Sequence, residues 1–293
     1  MSAADAPASA AVPGPVPAQG PRFVFIAGLH RSGTSLLAKL LAAHPEISAI
    51  ENSPAPENEG CYLQGAIPHT ARHGIPGHYA TDPAQHHIEG CSFDTLATRE
   101  RMLAGWAPWF DPASPWWLEK SPVNLTRMRL YQQLFPMSQF VVILRHPQVL
   151  ACAMRKWVDR PEAELIDYAL SAYERVAEDA RYLHAITLLR YEDLIAAPQA
   201  TLAGLAAFLD LPPHPPQIEL RNGNADYAIE GNPARAVAAR LARWGYGDGG
   251  EVGRFEPLVS HPLRAVREST AAALIAGEDD ERLLNFGLKI SQS

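Results

Sequence analysis

The chain has 293 residues, 47% of them apolar, and a formal net charge of −7. That apolar share supports a large buried core and excludes intrinsic disorder over most of the length, while the acid surplus speaks against a general nucleic-acid binder, which needs a basic surface. Cys61, Cys91 and Cys152 are too few and too scattered for a disulfide framework or a zinc motif, and no run approaches the ~18 apolar residues of a membrane span.

Residues 1–20 are rich in Ala and Pro and hold no Lys or Arg. Pro13, Pro15 and Pro17 interrupt any apolar run, so the stretch reads as a disordered leader rather than a secretory signal, and a cytoplasmic protein is expected. Residues 21–293 are expected to form one domain. Arg22-Phe-Val-Phe-Ile-Ala27 has the pattern of a buried parallel strand. A loop from Gly28 to Gly33 leads into a predicted helix over Thr34–His44, with Leu36, Leu37, Leu40 and Leu41 on one face. From 51 to about 90 the periodicity disappears, and five of the eleven histidines (His69, His73, His78, His86, His87) fall there among Pro and Gly. Such a stretch reads as a substrate loop, lining an acceptor pocket; Trp106, Trp109, Trp116 and Trp117 could line it too, although tryptophans so placed are more often core than substrate platform. Its histidines lack the fixed spacing of metal ligands, and no metal is expected.

A strand is predicted over Trp116–Pro122, then a helix from Asn124 to Phe135, stopped by Pro136. Gln139–Leu144 is the strongest buried strand, and Pro147 opens a helix through Trp157. A long helix over Glu162–Leu183, a strand over Ala185–Arg190, a turn at Tyr191-Glu-Asp193 and a helix over Pro198–Leu209 follow. This alternation predicts an α/β fold of three layers, α/β/α, around a central, mostly parallel sheet. Ligands in such sheets bind at the carboxyl ends of the strands, and Arg31, Lys120, Arg145 and Tyr191 all fall at such ends.

Gly28-Leu-His-Arg-Ser-Gly-Thr-Ser35 can offer backbone N–H groups, a helix N-terminus and the hydroxyls of Thr34 and Ser35 to a phosphate. The nucleoside-triphosphate form of this loop has Lys after the second glycine. Here Thr34 stands there, and the cation is Arg31, two residues before that glycine.

Phe25 to Leu37 resembles the 5′-phosphosulfate loop of the P-loop sulfotransferases that use 3′-phosphoadenosine 5′-phosphosulfate (PAPS). His44-Pro45 followed by Glu51 is similar to the tyrosylprotein branch and its bacterial relatives. The likeness continues through Leu118-Glu-Lys-Ser-Pro122, Val141–Pro147, Leu188–Leu194 and Phe208–Pro212. The resemblance implies that Arg31, Ser32, Gly33, Thr34 and Ser35 hold the 5′-phosphosulfate, Arg145 the 3′-phosphate and Tyr191 the adenine. It also implies that Trp244, after Arg243, closes over the nucleotide. It implies sulfuryl transfer to a hydroxyl, with PAP (adenosine 3′,5′-bisphosphate) as product; the abundant Ala and Pro point to a high-GC bacterial source, for which a small-molecule, glycan or lipid acceptor is expected over protein tyrosine. Lys120, with Arg31, would neutralise the leaving oxygen.

Two departures stand out. The family places Ser eight residues after the 3′-phosphate arginine, where this chain has Ala153, with Arg155 or Lys156 as substitutes. The histidine of the cytosolic enzymes, two residues after the lysine, is replaced by Pro122, so the expected base is Glu51, with Glu57 and Glu59 as alternates. A PAP-binding protein without activity and a P-loop kinase are the competing readings.

Overall fold

A computed structural model of the chain describes residues 22–70, 73–215, 220–229 and 234–275; the Ala/Pro-rich leader lies outside them. Six strands form one sheet among the described residues: β1 (Arg22–Ala27), β2 (Ile47–Ala49), β3 (Trp116–Lys120), β4 (Gln139–Leu144), β5 (Ile186–Arg190) and β6 (Val259–Ser260), in the order β2-β3-β1-β4-β5-β6. The first five pair in parallel and β6 runs antiparallel on β5. β1 is central, pairing Ile26 with Lys120 on one side and with Val141 on the other. The chain moves one way from β1 to build β2 and β3 and the other way to build β4 and β5. The carboxyl end of β1 is therefore the switch point where such sheets open a crevice.

The two-residue period of a strand sends alternate side chains to opposite faces. Phe23, Phe25 and Ala27 enter one core, Val24 and Ile26 the other. The first core receives α2 (Leu96–Trp106), α3 (Met128–Leu134), α4 (Pro147–Met154), α5 (Glu162–Asp179) and α8 (Arg235–Arg243). The second receives α1 (Thr34–Ala42), α6 (Tyr191–Ala196) and α7 (Pro198–Phe208). The result is the expected three-layer α/β/α arrangement. Full burial of a large apolar side chain is worth ~1.5–3 kcal/mol, and the first core concentrates this in aromatics: Phe23 lies 5.1 Å from Phe25, 5.4 Å from Trp106 and 4.7 Å from Phe135, centroid to centroid.

The tryptophans divide between the two cores: Trp106 and Trp117 lie in the first and Trp116 in the second. Trp106, Trp116 and Trp117 are 0–1% exposed, and Trp109 packs on the first core. The predicted helix over Asn124–Phe135 divides into a 3₁₀ segment, Pro122–Thr126, and α3. Its start is tied down because Asn124 Nδ2 donates to Ile26 O at 3.0 Å and to Glu119 Oε2 at 2.5 Å. The turn expected at Tyr191 is the first turn of α6, whose N-terminus Glu192 and Asp193 favour.

Candidate active site

The loop between β1 and α1 is shaped by two left-handed residues, Arg31 (φ 68°) and Gly33 (φ 106°). Glycine meets this requirement at 33 without strain, and it also lets the Tyr191 ring approach: a Cβ there would lie 2.8 Å from Tyr191 Cδ2. At Gly28 a Cβ would meet Ser32 Oγ at 2.5 Å and Ile143 O at 2.7 Å. Gly33 caps α1 with no side-chain hydrogen bond, and the first bond into the helix is Leu37 N–H to Gly33 O. The amides of Thr34, Ser35 and Leu36 precede it and have no acceptor among the described residues. Ser32 Oγ is buried and equally without a partner. Unpaired buried polar groups are costly, and the uncapped helix end and the orphan hydroxyl together make a cradle of donors whose chemistry suits an anion.

Arg145, at the end of β4, reaches across to this loop: its Nη1 donates to Arg31 O at 2.7 Å. The backbone of Arg145 is clamped by Tyr173 on α5, whose hydroxyl accepts from Arg145 N at 3.0 Å and donates to Arg145 O at 2.6 Å. The guanidinium carbon lies 4.6 Å from the centroid of the Tyr191 ring. Arg31, Ser32, Gly33, Thr34, Ser35, Arg145 and Tyr191 thus gather at one rim. Trp244 does not join them: it is 4% exposed, in the first core, with its ring 5.6 Å from Tyr173. It braces the residue that clamps Arg145, because the short α8 turns the indole inward. Ala153 is fully buried and presents nothing to the rim.

Lys120 ends β3 on the other side of β1. It is 6% exposed, and its Nζ donates to Glu57 O at 2.9 Å and lies 3.5 Å from Glu59 Oε1. Lys120 lines a cavity of about 450 Å³ with Ser35, Lys39, Glu51, Asn52 and Glu57. Ser35 of the cradle and Glu51 therefore face one space. Glu51 is exposed on its wall, whereas Glu59 is mostly buried. Burial pushes the Glu59 carboxyl up to about 7, against the pull of Lys120. His30, next to Arg31, packs on Tyr79 at 5.3 Å, and its Nδ1 is buried without a partner. Burial, and then the Lys120 charge, lower His30 to about 4, which keeps it neutral.

The residue that organises this side is Glu119, which the sequence reading passed over. It is fully buried. Its Oε1 accepts from Gly60 N at 2.9 Å and from Ser121 Oγ at 2.5 Å, while Oε2 takes Asn124 Nδ2. Trp106 Nε1 donates to Gly60 O at 2.8 Å. Both polar groups of Gly60 are thus fixed, and with them the neighbouring Glu59 beside Lys120. The signal was present: an acid inside a strand otherwise buried must be satisfied by partners from elsewhere in the chain. Tyr79 closes the same seam, its single hydroxyl proton shared between Gly28 O at 3.0 Å and Pro122 O at 2.9 Å. The loop histidines tie the segment down: His86 meets Asp179 at 2.8 Å, and His69 Nδ1 meets the buried Arg127 guanidinium at 3.3 Å.

Among the described residues no helix is long and apolar enough to cross a membrane. A comparison with curated proteins gives no match. Among solved structures, a sulfotransferase from Alicyclobacillus acidocaldarius is similar at a TM-score of 0.42 and 18% identity, over 70% of this chain and 88% of that one. The sulfotransferase STF1 from Mycobacterium tuberculosis H37Rv gives 0.45 and 18% over 70% of each chain. The sulfotransferase domain of the Synechococcus PCC 7002 olefin synthase gives 0.42 and 16% over 88% and 94%. At these overlaps the assignment is carried by sequence: the profile of the Sulfotransferase family matches residues 21–216. An anion cradle on the central strand, flanked by an arginine and a lysine at the ends of its two neighbours, lies within that match, and the chain belongs to the sulfotransferase family.

Proposed function

We propose that the protein transfers a sulfuryl group from PAPS to a hydroxyl of a small-molecule, glycan or lipid acceptor, yielding PAP and a sulfate ester. The observation that carries this reading is the position of Lys120, between an uncapped phosphate cradle and a cavity that also holds Glu51. The residues fit the donor: the free amides of α1 and the orphan Ser32 hydroxyl suit its 5′ end, and the Arg145 fork suits a phosphate monoester.

PAPS supplies sulfur already bonded to a good leaving group, a phosphate oxygen; that S–O bond breaks as the bond to the acceptor oxygen forms. Catalysis of such a transfer consists mainly of alignment and charge stabilisation. Arg31 and the amides of Thr34 and Ser35 hold the phosphosulfate. Lys120 neutralises charge growing on the bridging oxygen, a role that needs a buried, positioned ammonium. Glu59, beside Lys120 and poised near neutrality, accepts the acceptor's proton. Glu51, on the cavity wall, orients the acceptor hydroxyl. Glu57 serves through its carbonyl, which holds Lys120.

The test is to offer radiolabelled PAPS to the purified protein with a panel of sugars, alcohols and phenols. The reading requires a labelled sulfate ester and stoichiometric PAP in the wild type, and loss of both in Lys120→Ala. Transfer undiminished in that variant would contradict it.

A further inference from the structure

The cavity of about 450 Å³ beside Lys120 has a wall unlike that of an ordinary small-molecule pocket. Sites of this size are usually lined mostly by apolar and aromatic side chains, with a few polar groups that fix orientation. Here Lys39, Glu51, Glu57 and Lys120 line the space with the amides of Asn52 and Asn58, and no aromatic ring lines it among the described residues. Lys39 stands one turn beyond Ser35 on the same face of α1. Lys39, Glu51 and Glu57 have no ion-pair partner among the described residues. Charges of both signs therefore reach one space from two elements, the ammonium from α1 and the carboxylates from segment 51–58.

That segment is held in a fixed shape. Of the five non-glycine residues with positive φ among those described, Asn52 (51°), Glu57 (52°) and Asn58 (54°) all lie on the cavity wall. Asparagine tolerates the left-handed region through its short polar side chain, whereas glutamate stays there only where its surroundings enforce it. At Glu57 the enforcement comes from both sides. Its carbonyl accepts from Lys120 Nζ at 2.9 Å. Its neighbour Asn58 donates its main-chain N–H to Ala55 O at 3.1 Å, and Asn58 Oδ1 accepts from Ser53 N and Ser53 Oγ, both at 2.9 Å. Glu57 thus has its carbonyl engaged by Lys120 while its side chain lines the cavity. Backbone in such sparsely populated regions gathers at ligand clamps and active sites, where a preset wall is part of recognition.

We propose that the acceptor is a compact, uncharged polyol of the sugar or cyclitol kind, and that Lys39 and Glu57 set this specificity. The inference rests on the function proposed above and narrows its acceptor. A hydroxyl both donates and accepts, so neighbouring hydroxyls of one ring answer an ammonium and a carboxylate together. An alkyl or aryl alcohol offers one hydroxyl and would cover the remaining charges with apolar surface, which desolvates them without replacing their hydrogen bonds. An anionic acceptor would face Glu51 and Glu57, and a cationic one Lys39 and Lys120. In the proposed complex one hydroxyl lies at Lys120, Lys39 donates to a second, and Glu57 accepts from a third. The first hydroxyl oxygen bonds to sulfur as the S–O bond of PAPS breaks, PAP leaves with the electron pair, and the proton passes to Glu59.

The test measures transfer from PAPS by the full chain to neutral polyols (methyl glucoside, methyl galactoside, methyl mannoside, myo-inositol) and to mono-ols of similar size (cyclohexylmethanol, 4-nitrophenol). Glucosamine and glucuronate serve as charged counterparts. The best polyol is expected to exceed every mono-ol ~100-fold or more in kcat/KM, because a site built to bond several hydroxyls rejects an analogue that lacks them. In Lys39→Met, which keeps the aliphatic stem, and in Glu57→Gln that advantage should shrink ~10-fold through the polyol's KM, as for loss of one hydrogen bond to a charged group. A mono-ol or a charged counterpart used as well as the best polyol would overturn the acceptor class and leave sulfuryl transfer standing. An advantage unchanged in both variants would do the same, as would PAPS binding with no polyol sulfated. A protein that neither binds PAPS nor transfers to any acceptor would remove this inference together with the proposed function.

Discussion

The two flanks of β1 are built on opposite plans. On the β4 side the polar groups sit on the ends of regular elements: Arg145 follows a strand, Tyr191 opens a helix and Tyr173 stands on α5, and among the described residues Arg31 and Arg145 have no carboxylate within ion-pairing distance. On the β3 side the lysine already meets the Glu59 carboxylate and the Glu57 carbonyl, both carried on a loop whose shape depends on a buried glutamate about sixty residues along the chain. On the function proposed here, the flank that receives anions leaves its cations open, whereas the flank that moves a proton must hold base and cation in a fixed relation. The first plan needs only good elements; the second needs long-range support.

This contrast can be broken in several places. The largest effect is expected at Lys120: Lys120→Ala should lower kcat ~10²- to 10³-fold, as for loss of a single transition-state donor, with PAP affinity changed less than about threefold in a binding titration. Arg145→Ala should do the reverse, weakening PAP ~10- to 100-fold, equivalent to ~1.5–3 kcal/mol. An Arg145→Ala protein that binds PAP normally would mean the β4 flank is not the nucleotide side.

Glu59 gives a signed pH dependence. Its carboxyl is raised to about 7 by burial, and in the proposed mechanism the ionised form is the base. Turnover should therefore rise with pH through about 7 and fall as the carboxyl protonates below it. Glu59→Gln should lower kcat and flatten that limb, whereas Glu51→Gln should keep the limb and raise KM for the acceptor. The opposite pattern would exchange the two roles.

Smaller effects should come from the support beneath the pair. Glu119→Gln replaces an acceptor-only group with one that brings two donors to a place already filled with donors. Gly60→Ala puts a Cβ 2.6 Å from Glu119 Cγ. Overpacking of this kind costs ~1–3 kcal/mol, seen as a lowered denaturation midpoint. In both variants kcat should fall and the pH limb near 7 should move, while PAP affinity is kept. A stability loss with an unmoved limb would make Glu119 a purely structural residue.

The same contrast governs what could be read in advance. Strand β4, with six consecutive buried residues, and the glycine-framed loop before α1 are local patterns, and the cradle and Arg145 followed from them. β2 spans three residues and β6 two, so neither carries enough periodicity to announce itself. Lys120 was legible as a cation at a strand end. Its partner was not, because Glu51, Glu57 and Glu59 lie in one aperiodic stretch, and only the contact of Gly60 with Glu119 separates them. The contacts of Tyr227 with Arg31 and of Asn224 with Arg145 were not legible for a related reason: they span 196 and 79 residues of sequence. Trp244 shows the converse error, since a basic–aromatic pair reads the same whether the ring faces a ligand or the core.

The most direct test is a single titration of the intact protein with PAP and, separately, with ATP. The cradle without a lysine after Gly33, facing Arg145 across the rim, predicts one saturable site for the bisphosphate and much weaker uptake of the triphosphate. Equal or tighter binding of ATP, or no heat with PAP from folded protein, would contradict the account.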